Sequence, residues 1–375
     1  MSQTSLACVR QPRRSAQQAA FAFLALAACA AAEPPPSATN APGFLLLPFV
    51  IYAPETKANF TLTVLTHFRT AGASTNGQPS GVLVTSAYTE LNQESLSILP
   101  EVYSEGDTYH LGGEATYELW PNKFFGIGNH TLRSSEEDYT SRNQILRLDL
   151  GKTVLSCIRV GPQYEYCHYR LTQTQPDGLL AQGTIPGSQG GNLSGCGAVV
   201  AWDTRDDVLY SSRGQYVRLA VTEFADALGS DFSFQRYRLD ARQFGTLFKS
   251  SVLALQEYLN VTRGDVPFQQ LSLLGDSSQV KLMRGYLQGR FRDRDEAVVQ
   301  AEYRMPLWWR LGLDVFGGMG AVAHDLTEMR LDDVKFSGGA GLRLRVSDSE
   351  AINMRLDVAF GEEQPGVYFE LFEAF

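Results

Sequence analysis

Apolar and polar residues alternate along two stretches near the C-terminus, Gly339–Val346 (GAGLRLRV) and Ile352–Phe360 (INMRLDVAF). A period of two is the signature of a β-strand whose two faces meet different surroundings. Val298–Arg304 and Leu311–Phe316 repeat the pattern, so four successive strands each place charged residues on one face. The last third of the chain therefore predicts a run of antiparallel strands.

Alternation of this kind fits either a soluble sandwich or a membrane barrel. In a sandwich the polar face meets water outside, whereas in a membrane barrel it lines the lumen and the apolar face meets lipid. Three features favour the barrel. The strands are about ten residues long, and the connectors alternate between short and long. The last segment, Gly366–Phe375, ends in an aromatic residue. The predicted fold class is all-β: one transmembrane antiparallel β-barrel, with Phe375 as its C-terminal barrel signal.

The strand count predicts sixteen strands that start near Phe60 and include a short one at Lys123–Asn129. With both termini in the periplasm, the predicted periplasmic turns are Trp120–Asn122, Gly151–Val154, Asp203–Gly214, Phe244–Phe248 and Met305–Arg310. The predicted outer loops are Ala71–Ser80, Asn129–Thr140, Gln173–Leu193 and Val261–Asp295. Short periplasmic turns and long outer loops are typical of bacterial outer-membrane barrels.

The four tryptophans, Trp120, Trp202, Trp308 and Trp309, all fall at strand ends on the predicted periplasmic side. An indole ring prefers the membrane interface, where its ring is dry and its N–H is wet. The sequence thus predicts an aromatic girdle on one rim.

Composition excludes several other classes of protein. The chain has 375 residues, 44% of them hydrophobic, a net charge of −9 and a mean hydropathy of −0.16. Its aromatic and aliphatic content excludes intrinsic disorder, and no apolar run is long enough for a membrane-spanning helix. The acidic balance argues against nucleic acid as a partner.

The N-terminal segment resembles an export signal. A basic stretch is followed by the apolar run Ala19–Ala32, which predicts a signal peptide over residues 1–32, a linker over 33–43 and the barrel over 44–375. Leu26–Cys29 also resembles a lipobox, which makes Cys29 a candidate lipidation site beside ordinary cleavage before Glu33. The later cysteines have neither disulfide-framework nor zinc spacing, so no metal and no cofactor is expected.

A motif in the longest connector carries a family resemblance. Leu282–Tyr286 (LMRGY), preceded by Leu274–Asp276, resembles the sixth extracellular loop of the BamA/TamA-like barrels, the bacterial surface antigen family. Tyr52–Thr56 resembles the family's approach to its first strand, Asp203–Asp206 its Asp-Thr-Arg-Asp turn, and Gln300–Pro306 its strand after the long loop. The resemblance covers roughly residues 44–375.

Arg284 in this motif is predicted to anchor the loop inside the lumen. A long free loop carries a large ordering entropy, and one buried cation paired with a carboxylate would hold it. Glu302, on the lumen face of the next strand, is the first choice of partner. The family supplies a second acid from Phe-x-Asp-x-Gly, but here Gly318 takes that place, which leaves Asp314 as the substitute. Gly285 lets the backbone approach the wall, and Tyr286 completes the motif.

Asp203, Thr204, Arg205 and Asp206 are predicted to have a structural role. Asp and Thr side chains close tight turns by accepting hydrogen bonds from nearby backbone N–H groups. These four residues therefore form a predicted periplasmic turn.

The resemblance implies a role in outer-membrane protein insertion or translocation, not catalysis. Family members commonly carry periplasmic POTRA domains, and the segment before the first strand is too short for one, so we expect the barrel to act alone or with a periplasmic partner. The seam between the first and last strands could template an incoming client strand by β-augmentation. Glu373, charged where the terminal signal of many barrels is apolar, could affect that seam or only face interface water. Expected partners are outer-membrane lipid and client barrels.

Two other classes stay open. One is a passive channel or a structural barrel. The other is a barrel-type lipid hydrolase on the outer wall, which His67, near the outer end of the first predicted strand, could join.

Overall fold

The computed structural model describes residues 43–69, 80–104, 106, 108–155, 157–208, 210–275, 282–347, 352–362 and 365–375. The predicted signal peptide, nearly all of the predicted linker, the candidate lipidation site Cys29, and Asp276 lie outside the described residues.

Sixteen antiparallel strands close into one barrel, as the alternation predicts. These strands are β1 (Gly43–Ala53), β2 (Lys57–Phe68), β3 (Ser80–Thr89), β4 (Glu94–Tyr103), β5 (Tyr109–Phe124), β6 (Glu137–Leu155), β7 (Ile158–Thr174), β8 (Gly191–Asp203), β9 (Gly214–Phe224), β10 (Phe234–Thr246), β11 (Val252–Gly264), β14 (Asp295–Trp308), β15 (Leu311–Ala323), β16 (Lys335–Ser347), β17 (Ile352–Phe360) and β18 (Gly366–Leu371). The predicted fold class and strand number are confirmed.

Short elements lie in the connectors. Two strands, β12 (Ser272–Leu274) and β13 (Phe291–Asp293), pair with each other between β11 and β14. Single-turn 3-10 helices in the described connectors cover Arg133–Ser135, Asp226–Leu228, Phe248–Ser250, Phe268–Gln270, Leu326–Glu328 and Leu331–Asp333. Within the described ranges, no helix has the length and apolarity to cross a bilayer.

The first strand begins earlier than predicted. It is Gly43–Ala53, so Tyr52–Thr56 closes this strand and forms the turn after it, instead of leading into the first strand. The predicted strand at Lys123–Asn129 is wrong, because β5 runs through Pro121 to Phe124 in unbroken register with β6. One missed strand and one wrong strand leave the total at sixteen. Each connector between β2 and β5, however, lies at the opposite end of the barrel from the one predicted.

We name the two ends of the barrel by what lies there. The terminal end is where β1 begins and β18 finishes, and the loop end is opposite. The long segment between β2 and β3, predicted as an outer loop, connects strands at the terminal end. His67, near the finish of β2, likewise lies at the terminal end and pairs with Gly43, not near the outer end of a first strand.

Three of the four tryptophans of the predicted girdle lie on one rim of the barrel. Trp202, Trp308 and Trp309 lie at the terminal end and are 38%, 74% and 75% exposed. Trp120 lies near the loop end of β5, on the strand face of Glu118 and Phe124, which point into the lumen. Trp120 is therefore not part of the predicted girdle, because the misplaced turn at residues 120–122 had put it on the wrong rim.

Candidate functional site

The connector 265–294, which we call the lumen loop, packs inside the barrel along its described parts, residues 265–275 and 282–294. Leu274, Leu282, Met283, Tyr286 and Phe291 of this loop form one buried cluster with three barrel residues. The barrel residues are Tyr258, Val298 and Val322, on the inner faces of β11, β14 and β15. Burial of these apolar side chains offsets part of the entropy that ordering a long loop costs.

Arg284 lies at the base of the lumen loop and is 2% exposed. Its Nη2 is 2.6 Å from Glu302 Oε2, so the predicted pair is in contact, and its Nη1 is 2.6 Å from Asp357 Oδ2. The guanidinium also lies 3.5 Å from the centroid of the Phe316 ring. Two carboxylates and one aromatic face thus surround a single cation.

The second carboxylate at Arg284 is Asp357, not Asp314 as predicted. Asp314 Oδ2 is 2.5 Å from Arg343 Nη2 instead. Gly341 lies between the two acids in the register of β15, β16 and β17, and a Cβ there would be only 2.1 Å from Asp357 and 2.6 Å from Asp314. The missing side chain lets both carboxylates turn inward, and Arg343 bridges them.

Gly285 and Tyr286 attach the lumen loop to the last strands of the barrel. Gly285 has φ of +105°, and its N–H donates to Tyr368 Oη at 2.9 Å. A Cβ at Gly285 would be 2.8 Å from backbone atoms of Phe360 and Gly361, so only glycine fits. The Tyr286 hydroxyl donates to the Phe336 carbonyl at 2.9 Å. Tyr368 was not identified from the sequence, because its role depends on barrel closure.

Buried charges continue from Arg284 toward the terminal end, on the inner faces of β14 to β18 and on Glu373, which follows β18. This lumen charge cluster consists of Arg284, Arg304, Arg343, Arg355, Glu302, Asp314, Asp357, Glu370 and Glu373. Arg304 Nε lies 2.8 Å from Glu302 Oε1, and Arg355 pairs with Glu370. Removing one partner from such a network is costly, because it leaves the other charge buried and uncompensated.

The C-terminal tail, residues 372–375, turns into the lumen. Strand β18 ends at Leu371, Phe372 has φ of +65°, and Phe375 packs with Phe244 and Ala254 on the inner faces of β10 and β11. The prediction that the last strand runs to Phe375 is therefore wrong. Inside the barrel the tail is in contact with the buried cations Arg343 and Arg304.

Glu373 is the main polar anchor of this tail. Its Oε2 is 3.0 Å from Arg343 Nε, and its Oε1 accepts a hydrogen bond from Asn353 at 2.6 Å. Arg304 Nη2 donates to the Phe375 backbone oxygen at 2.8 Å. The tail and the lumen loop therefore share one charge cluster.

The seam between β1 and β18 is short. The register joins these strands at Tyr52–Phe369, whereas β1 pairs with β2 at every position from Gly43 to Ala53. Because β18 stops at Leu371, most of the β1 edge toward the terminal end has no described strand beside it. The inner side of β1 is also apolar, since Leu47 and Phe49 pair with the inward Thr63 and Thr61.

The predicted turn at Asp203–Asp206 lies at the terminal end. Arg205 Nη2 is 2.7 Å from Asp203 Oδ2, and Thr204 Oγ1 accepts from the Gln215 N–H at 2.9 Å. Partial burial would raise the pKa of Asp206, but the hydroxyl and N–H of Ser212 and the N–H of Arg213 donate to its carboxylate and lower that pKa overall. These contacts agree with a turn-closing role, which stays a prediction.

A hydrolase constellation does not assemble on the outer wall of the described barrel. Asn192 Oδ1 lies 2.8 Å from His168 Nδ1, but Ser194 Oγ lies 3.0 Å from the Tyr164 hydroxyl and has no described hydrogen bond to a histidine. His67, the residue suggested by the sequence, lies in another part of the wall. The described ranges also contain no group of three or more His, Cys, Asp or Glu residues that could hold a metal ion.

Comparison with known proteins identifies the family. A model described as the Omp85 superfamily domain matches residues 77–374. The chain belongs to the Omp85 superfamily. The resemblance to BamA/TamA-like barrels is thereby confirmed, and an Omp85 barrel is a protein of the bacterial outer membrane. No curated protein matches the chain.

Solved structures agree on the fold of this Omp85 barrel. BamA from Haemophilus ducreyi lacking POTRA domains 1–3 aligns with a TM-score of 0.61 at 13% identity, over 97% of this chain and 80% of that chain. CdiB from Escherichia coli aligns with a TM-score of 0.60 at 9% identity, over 91% of this chain and 63% of that chain. CdiB from Acinetobacter baumannii aligns with a TM-score of 0.57 at 10% identity, over 89% of this chain and 60% of that chain. The chain thus spans less than two thirds of either CdiB.

Proposed function

We propose that this Omp85 barrel promotes the insertion of client β-strands into the outer membrane, at the seam between β1 and β18. The observation that carries the proposal is that, among the residues the structure describes, these two strands pair at one position, Tyr52–Phe369. A strand edge without a neighbour presents free N–H and C=O groups, which template the addition of another strand. The other described junctions of the barrel are paired along many residues.

The composition of β1 supports a templating role. Phe44 and Leu46 on its outer side are 76% and 52% exposed, and its inner side carries Leu47 and Phe49. An apolar strand with an available edge can accept a client strand in lipid, where unpaired backbone groups are costly. The polar lumen side would then be completed by the client's own alternating residues.

The tail and the lumen loop would keep this edge available. Glu373 and Phe375 hold residues 372–375 in the lumen, so these residues do not extend β18 along β1. Arg284 fastens the loop to β14 and β17 and so supports the wall beside the seam. We infer that the charge cluster stabilises the short form of β18.

The partners of this activity follow from its chemistry. We propose outer-membrane lipid as the surrounding medium, an unfolded client barrel as the substrate and a periplasmic partner that delivers it. The BamA and CdiB structures are only 13% and 9% identical to this chain, so what they share with it is the barrel fold. That shared fold is the support they give to the proposal.

A disulfide lock across the seam tests the proposal. Tyr52→Cys and Phe369→Cys would be combined in a chain whose Cys157, Cys167 and Cys196 are serine. Directly opposed strand positions are close enough for a disulfide. After reconstitution into liposomes, the reduced protein should accelerate folding of a client barrel, and the oxidised protein should not.

A matched lock elsewhere in the wall is the control. Leu62→Cys with Ser86→Cys joins directly opposed residues of β2 and β3, away from the seam, and should keep the activity when oxidised. Full activity of the oxidised seam lock would reject the seam as the site. No acceleration by the unmodified protein over empty liposomes would reject the function.

A further inference from the structure

Two arginines face each other on the outer wall near the loop end. Arg142 of β6 and Arg170 of β7 are directly opposed in the register, and both are exposed. Each alternates with buried residues, Ser141 and Asn143 on β6 and Tyr169 on β7, so both side chains leave the barrel on its outer face. Within the described ranges, neither arginine has an ion pair or a hydrogen bond.

This arrangement is unfavourable by itself. Like charges directly opposite each other across two strands repel and destabilise the pair. By contrast, the lumen arginines 284, 304, 343 and 355 all contact carboxylates. Two adjacent guanidinium groups without an acid form a suitable site for a phosphate, which they can bind through parallel N–H···O bonds.

Two acids of this region of the barrel, Asp138 and Asp231, are engaged elsewhere. Asp138, the next acid along the outer side of β6, pairs with Lys123 at 3.2 Å. Asp231 accepts hydrogen bonds from the backbone and side chain of Asn192, at 2.7 Å and 3.2 Å. Neither lies within 4 Å of the two arginines as an ion pair, so the positive charge of the arginine pair is available to a ligand.

The position of the pair relative to the apolar wall indicates which phosphate it binds. One row toward the terminal end, Gln144 faces His168, and the next rows are Leu146–Tyr166 and Leu148–Tyr164. Leu146 lies four residues from Arg142 along β6, which at roughly 3.3 Å per residue is about 13 Å, so the arginines lie on the loop-end side of the aromatic and aliphatic rows, with the Gln144–His168 row between. That is the depth of a lipid headgroup whose acyl chains cover the rows below.

We propose that Arg142 and Arg170 form a binding site for the phosphate of a lipid headgroup in the leaflet at the loop end of the barrel. The phosphate oxygens lie between the two guanidinium groups, and the acyl chains run along Leu146, Leu148 and Tyr166. His168, held by Asn192, borders the site on its membrane side. This site is separate from the seam, so the proposal does not depend on the insertion activity.

Binding of a short-chain phosphatidic acid to the detergent-solubilised full chain tests the site. Titration calorimetry would compare the unmodified protein with Arg142→Gln, Arg170→Gln and the double variant. A basic residue near an anionic lipid surface contributes about fivefold in affinity, so the double variant should bind roughly twentyfold to thirtyfold more weakly. Both positions are exposed. A difference in gel mobility between heated and unheated samples would verify that each variant barrel is folded.

Arg213→Gln is the control. Arg213 is 80% exposed and lies in a turn at the terminal end, far from the proposed site, so its loss should leave the affinity unchanged. Two further ligands separate the sources of the phosphate: short-chain phosphatidylcholine and inorganic phosphate should both bind more weakly than phosphatidic acid.

Three results would overturn the proposal. The first is equal affinity of the double variant and the unmodified protein for phosphatidic acid. The second is absence of binding to the unmodified protein. The third is inorganic phosphate binding as tightly as the lipid, which would show a free-anion site in place of a headgroup site.

Discussion

At the residue scale, Arg284 shows how one cation can hold a whole loop. Its guanidinium contacts Glu302, Asp357 and the Phe316 ring, which come from three different strands. Charged groups at this depth are favourable only when every partner is present, because desolvation penalises each unpaired charge. The loop is therefore attached by a set of contacts that fail together.

Replacement of Arg284 should release the lumen loop. Arg284→Ala leaves Glu302 and Asp357 with fewer cations, and loss of one partner from a buried pair costs roughly 3 kcal/mol. We expect chymotrypsin to cut the loop roughly a hundredfold faster than in the unmodified protein, and Glu302→Ala to act in the same direction. Arg330→Ala, at an exposed loop position, is the control; equal digestion of all variants would contradict the anchor.

Gly285 is a second residue on which the attachment of the lumen loop depends, because there is no room for a Cβ at this position. Gly285→Ala places a Cβ 2.8 Å from backbone atoms of Phe360 and Gly361 at a φ of +105°. We expect a loss of roughly 2 kcal/mol or more in stability. Gly245→Ala, where an added Cβ meets nothing within 4 Å, should cost far less. Urea unfolding followed by tryptophan fluorescence would compare them, and equal midpoints would argue against the close approach.

At the element scale, the shortness of β18 is the feature with the largest consequence. The strand has six residues, and the β1 beside it has eleven. The tail that could extend β18 is instead bound in the lumen by Glu373 and Phe375. The seam thus depends on a competition between the sheet and the charge cluster for the same residues.

Neutralising Glu373 should loosen the tail. Glu373→Gln removes the charge that faces Arg343 while leaving an oxygen for Asn353, and a charge-assisted hydrogen bond contributes about 1.5–3 kcal/mol. We expect carboxypeptidase to remove the C-terminal residues at least about tenfold faster. Glu362→Gln, which breaks the more exposed Lys335–Glu362 pair, should show no change. Unaltered digestion of Glu373→Gln would mean that the tail is held by other contacts.

The turn at residues 204–213 should respond to acid. Because the pKa of Asp206 is lowered in the folded state, its stabilising contribution is complete above the usual carboxyl range and is lost as the pH falls through the lowered pKa. Asp206→Asn should therefore increase amide hydrogen exchange in this turn at neutral pH, with the difference from the unmodified protein shrinking below about pH 4. Asp177→Asn, at an exposed loop position, is the control; a difference that persists in acid would contradict the assignment.

At the scale of the whole molecule, the barrel has the strand number of a porin but not an empty lumen. The lumen loop and the tail both enter it, and their side chains pack against the inner faces of the strands. Sixteen-stranded porins leave an aqueous channel. The contents of this lumen disfavour the passive-channel alternative.

Conductance in planar bilayers would measure this obstruction. The unmodified protein should conduct well below an open sixteen-stranded barrel, because the loop and the tail exclude ions and water from the lumen. Arg284→Ala should open more often, since the loop is then free to leave, and Arg330→Ala should match the unmodified protein. A steady open-barrel conductance of the unmodified protein would favour the channel function instead.

Much of this architecture is encoded locally. Alternation along each strand specified the all-β class and the inward face of Glu302, because a residue's face depends only on its neighbours in the same strand. The strand number agreed only because a missed first strand and a wrong strand at Lys123–Asn129 cancelled. The Arg-Gly-Tyr motif indicated the family. The segment around Pro121, however, was predicted as a periplasmic turn, and the structure places it within β5. Trp120 was therefore assigned to the wrong rim.

The contacts between residues that are far apart in the sequence depend on closure of the barrel. Asp357 meets Arg284 across 73 residues of sequence, and Tyr368 meets Gly285 across 83. Arg142 meets Arg170, and the tail reaches Phe244, only when distant strands are placed side by side. No local pattern specifies such neighbours, because they depend on register and curvature summed around the whole ring. Local patterns were therefore sufficient for an all-β Omp85 barrel with a candidate loop cation, whereas the partners of that cation and the short seam depend on pairing between distant segments.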